Sequence, residues 1–168
     1  MGEVSIMAQV SILGFAALLL WAAYSDAQSF KIPNRICIAI VLLYPAYVLS
    51  TGQTVEWLPA TALAAGVLLI GFLLFSMKIV GGGDAKLLAA ASLWAGPSLM
   101  IAFLFVMAFA GGALAIGYWL HHRFTRAASP AAIFVAKVDD DFGKQPIPYG
   151  IAIAAGGLYV AFTNAGLV

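Results

Sequence analysis

A chain of 168 residues that is 64% hydrophobic and 9% charged, with a mean hydropathy of +1.03, lies far from the composition of water-soluble globular proteins. One cysteine, Cys37, leaves neither a disulfide framework nor a thiolate zinc centre within the chain. The formal net charge of +1 says little by itself, because in so apolar a chain the placement of charges matters more than their sum.

Apolar runs of about twenty residues recur along the whole length, and each is enough to cross a bilayer. They predict an all-α, polytopic membrane protein forming one domain over residues 1–168. The N-terminus carries Glu3 and no Lys or Arg, so no cleavable signal peptide is read there. A first span is expected over about 4–24. A polar insert follows, from Ser25 to Arg35, in which Pro33 disfavours helix at Ile32 and sets a break. The second span covers about 34–50 and should be kinked by Pro45. A loop with Glu56 and Trp57, the latter placed like an interfacial anchor, leads to a third span over about 60–77.

The sequence Ile79-Val-Gly-Gly-Gly-Asp-Ala-Lys-Leu-Leu-Ala90 comes next, read as a glycine loop before a fourth span over 84–96. Gly96-Pro97 ends that span after a run too short for a ~30 Å core at 1.5 Å per residue, so the loop and Asp84 are expected below the membrane surface unless the bilayer thins. Spans five and six follow over about 98–120 and 147–168, separated by a polar segment. With six spans, Lys31, Arg35, Lys78, Lys86, Arg123, Arg126, Lys137 and Lys144 all fall on one side. The positive-inside rule makes that side cytoplasmic and leaves both termini outside.

Asp26 and Asp84 then lie at cytoplasmic ends of different helices. Two carboxylates at one depth are what an aspartic hydrolase needs: one accepts a proton from water while the other donates to the substrate carbonyl. Carboxylates that share a site resist ionising together, which supplies that division of labour. The local alternative is that Asp84 caps its helix and Asp26 is a solvated residue ending span one.

Three stretches together resemble the type IV prepilin peptidase family, in the short form that serves tight-adherence (Flp-type) pili. Gly81-Gly-Gly-Asp-Ala-Lys-Leu-Leu-Ala matches the family's G-x-G-D motif. Asp26 with Lys31-Ile-Pro-Asn-Arg35 matches its first aspartate and downstream Ile-Pro-Asn, and Pro148-Tyr-Gly-Ile-Ala-Ile-Ala-Ala-Gly156 resembles its small-residue-rich last helix. The resemblance implies an aspartic endopeptidase in the bacterial inner membrane, with Asp26 and Asp84 as the catalytic pair cutting prepilin leaders at the cytoplasmic face. Prepilin, the lipid bilayer and pilus or secretion machinery are the implied partners; no nucleic acid, cofactor or metal is expected. Longer members carry an N-terminal cytoplasmic domain with Cys-x-x-Cys pairs, and many of them also methylate the product. Here the first span starts close to Met1 and only Cys37 exists, so the resemblance extends to peptidase activity alone.

Around the aspartates, Gly81, Gly82 and Gly83 are expected to form a side-chain-free wall beside an extended substrate. Lys86 either tunes Asp84 or, as the favoured reading, snorkels to the interface. Tyr149 is a candidate for the site because span six begins on the cytoplasmic side, the alternative being an aromatic at the membrane interface. The tandem His121 and His122 read as interfacial, and Asp139 to Asp141 as a solvated run. A small transporter would also place acids at helix ends, but should show internal repeats, which are absent. A presenilin-like or signal-peptide-peptidase-like protease shares the G-x-G-D logic but would carry Tyr-Asp in a span and Pro-Ala-Leu near the last helix.

Overall fold

The computed structural model describes residues 5–52, 54–127 and 148–167, with side chains described only to Leu120 in the stretch ending at 127. All regular structure among them is helical: α1 (Ile6–Ser29), α2 (Asn34–Ser50), α3 (Trp57–Ser76), α4 (Gly82–Ala127) and α5 (Tyr149–Asn164). At 46 residues α4 would measure about 69 Å if straight, but it breaks at Gly96. The backbone there takes φ 56° and ψ −175°, a conformation open essentially to glycine alone, and Pro97 follows without an N–H. The expected Gly96-Pro97 boundary therefore lies where the chain breaks. α1, α3 and the stretch Gly82–Leu120 are long and apolar enough to cross a membrane, whereas α2 is a shorter apolar helix.

The break before α2 also falls as expected: Phe30 closes α1 in a left-handed conformation, and Pro33 caps α2 with extended backbone. Pro45 lies within α2, which continues to Ser50. Several boundaries differ from expectation, among them the start of α4 at Gly82 rather than at Asp84. α1 runs on through the polar insert to Ser29, so Asp26 stands on a helix rather than after one. Trp57 is the first residue of α3, not part of the loop before it.

The helices assemble around α4 and α5, with α5 packed against both α4 and α1. α1 buries Ala8, Ser11, Ile12, Phe15, Leu19, Ala22 and Asp26, one helical face whose last member is an acid. α5 answers with small residues. A Cβ on Gly156 would fall 2.7 Å from the Phe103 carbonyl oxygen, and one on Gly157 would fall 2.6 Å from Leu19. Small residues let helix backbones approach closely where lipid weakens any hydrophobic drive between helices. Deeper in the bundle, Trp94 stacks on Phe15 at 4.3 Å and donates its indole N–H to the Ile40 carbonyl at 3.1 Å. These contacts join α1, α2 and α4 at one level and fix how their ends meet.

Candidate active site

Asp26 is placed by its position on the α1 stripe, one turn beyond Ala22. Its side chain is 5% exposed. Its Oδ2 accepts the backbone N–H of Gly150 at 2.7 Å, from the first turn of α5. The first N–H groups of a helix have no partner within it, and a carboxylate both satisfies one and is attracted to the positive end of the helix dipole. Gly150 is required at that point. A Cβ there would meet Asp26 Oδ2, Cβ and Cγ at 2.8 to 3.0 Å.

Asp84 occupies the same kind of place on another helix, the first turn of α4. The Ala85 N–H donates to the Gly81 carbonyl at 3.1 Å, so the helix starts on Gly81, and Gly82 and Gly83 lie within its first turn. This corrects the reading of the three glycines as one open loop. Each instead makes a distinct close approach. A Cβ on Gly81 would lie 2.6 Å from Asp84 Oδ2, one on Gly82 3.1 Å from the Phe75 ring, and one on Gly83 3.2 Å from Ile32 Cβ.

The chain between α1 and α2 closes the site. Ser25 Oγ donates to the Lys31 carbonyl at 2.8 Å, folding the segment back over the end of α1. Ile32 is buried against Gly83, and Asn34 Oδ1 accepts the Lys86 ammonium at 3.0 Å. Lys86 is exposed and has a protein partner in Asn34, a contact compatible with a snorkelling side chain. Asp26 and Asp84 both line one polar cleft of about 530 Å³, with Ser25, Lys31, Asn34 and Gly81 to Gly83 in its walls. No group of three or more His, Cys, Asp or Glu suited to a metal ion occurs among the described residues.

Of the expected site residues, the structure brings together Asp26, Asp84, Gly81, Gly82 and Gly83 in the cleft, with Lys86 braced at its edge through Asn34. Tyr149 is 54% exposed and does not line the cleft; its neighbour Gly150 makes the contact to Asp26. Gly150, Ile32 and Asn34 were not singled out as site residues from sequence, although the last two lie in the Ile-Pro-Asn motif. The side chains of His121 and His122, and the run Asp139 to Asp141, lie outside the described residues.

No curated protein and no solved structure matches the chain. A family model does, over residues 13–116, a stretch that holds both aspartates and the strap between α1 and α2 and amounts to more than half of the sequence. On that match the chain belongs to the type IV leader peptidase family.

Proposed function

We propose that the protein is an aspartic endopeptidase that removes the short basic leader of type IV prepilins of the Flp type at the cytoplasmic face of the bacterial inner membrane. The observation that carries this is the convergence of Asp26 and Asp84, from separate helices, on one polar cleft. The cleft opens at the end of the bundle where the described cations Lys31, Arg35, Lys78 and Lys86 also stand in the chain. By the positive-inside rule that end is cytoplasmic, with six spans and both termini outside.

A backbone N–H can only donate, so Gly150 holds Asp26 Oδ2 as an acceptor and leaves Oδ1 for a water molecule. In this reading Asp26 is the general base. Asp84, in its protonated form, donates to the scissile carbonyl as the water attacks. As the resulting diol collapses and the C–N bond breaks, Asp26 gives the proton it took to the leaving amine and Asp84 recovers its own from a diol hydroxyl, which restores both groups. Such a pair titrates as a unit, so kcat/KM should fall at both low and high pH, giving a bell-shaped profile whose limits belong to the dyad.

Asp26→Asn and Asp84→Asn should each abolish prepilin cleavage by the purified protein in proteoliposomes, with unchanged expression and thermal stability. The double variant should be no worse than either single one, because the pair acts as one device. A chelator should leave cleavage unaltered. Substantial turnover by either single variant removes that residue from the role assigned to it.

A further inference from the structure

We infer that the groove between α2 and α3 is the docking site for the substrate's own apolar helix, the segment that follows the scissile bond; the inference rests on the peptidase reading above. α2 packs on α1 and α4 but hardly on α3, which leaves a trough floored by α4. The trough has a volume of about 580 Å³ and is walled by residues that include Leu42, Ala65, Leu68 and Leu93. Leu42 and Leu68 are exposed, so the groove is open sideways. Ala65 and its neighbour Ala64 leave room for another helix to come close.

What distinguishes this trough from an ordinary lipid-facing hollow is where it ends. Asn34 lines both the groove and the aspartate cleft, and Lys86, bonded to Asn34, stands at the same end. Another apolar hollow, beside Ala113, Gly117 and Ile151, shares no residue with the cleft. From Asn34 to Leu42 the trough follows α2 for about 12 Å at 1.5 Å per residue, some two turns of a docked helix. A substrate lying there emerges at Asn34 and must continue extended into the cleft. The bond cut is then the one just outside the apolar helix, which places cleavage at the boundary and not within the helix.

The test compares two substrates in proteoliposomes: an Flp-type prepilin with its apolar helix, and a soluble peptide spanning only the leader and the first residues after the cut. Ala65→Trp fills the trough. It should raise KM for the helix-bearing substrate ~10-fold more than KM for the peptide, while Leu13→Trp, on an exposed face of α1, changes neither. Equal effects on both substrates, or none, overturn the groove assignment; none is also the result expected if lipid chains alone occupy the trough. Failure of the wild type to cut either substrate defeats the peptidase reading instead. A second measurement needs no turnover. In an Asp26→Asn, Cys37→Ser background, Ala65→Cys should cross-link to cysteines placed along the substrate helix with a helical period, and Leu13→Cys should not. Cross-linking that is absent at Ala65→Cys, or equal at the two positions, overturns the proposal.

Discussion

Asp26 is positioned by a backbone N–H, a donor that side-chain changes other than to proline displace rather than delete. Gly150→Ala would bring a methyl group within about 3 Å of the Asp26 carboxylate, and the short Asp side chain, itself buried, has little room to yield. Misplacing a catalytic group by about 1 Å can cost on the order of 100-fold in rate. Gly150→Ala should therefore lower kcat by roughly that factor with little change in KM, as read from initial rates on prepilin. Gly81→Ala tests the other carboxylate in the same way, because its methyl group would contend with Asp84 Oδ2. Normal kcat in both variants would show that the carboxylates tolerate displacement and that the close approaches are incidental. Gly150 was not legible as a site residue from sequence. Its contact reaches across 124 positions and uses no side chain, so nothing local marks it. Asp84 was legible because an acid beside three glycines, in so apolar a chain, is conspicuous.

The strap between α1 and α2 acts as an element whose ends are fixed separately, Ile32 against Gly83 and Asn34 to Lys86. Gly83→Leu should impair cleavage by driving Ile32 off α4, so its effect should appear equally on long and short substrates. A soluble peptide cut normally by a stably folded Gly83→Leu variant would separate the strap from the site. Lys86→Met and Asn34→Ala each remove one partner of an exposed hydrogen bond, worth about 1 kcal/mol. Partners in one bond are not additive, so the double variant should melt within a few tenths of a kcal/mol of the worse single one. A fully additive loss would mean that the two residues act independently. At this scale the sequence points to apolar helices but not to the faces they bury. The outward faces of α1 carry exposed Leu13, Leu20 and Trp21, which are as apolar as the buried Ile12, Phe15 and Leu19. With no polar face to contrast, periodicity cannot tell core from membrane-facing surface, and only the acid at the end of the buried stripe shows which way α1 turns.

In the whole molecule, the aspartate cleft and the described cations lie at one end of the bundle, while Glu56, between α2 and α3, lies at the other. That polarity was readable from sequence because it needs only the order of charges along alternating spans. The groove was not, since it arises from two helices that both pack elsewhere. The polarity makes a test of orientation possible with two positions. Lys78 and Thr54 are both exposed, the first next to the start of α4 and the second in the connection before α3. In a Cys37→Ser background, Lys78→Cys should be modified by a membrane-impermeant maleimide in inverted vesicles but not in intact cells, and Thr54→Cys should show the reverse. Lysine is costly to translocate and tends to be retained in the cytoplasm, which fixes the sign of the expectation. Removing Lys78 weakens that bias by one charge of the eight basic residues, so orientation should survive the substitution. If Lys78→Cys is labelled in intact cells while Thr54→Cys is protected, the bundle is inverted. The aspartates would then face away from the cytoplasm, and a leader held on the cytoplasmic side could not reach them.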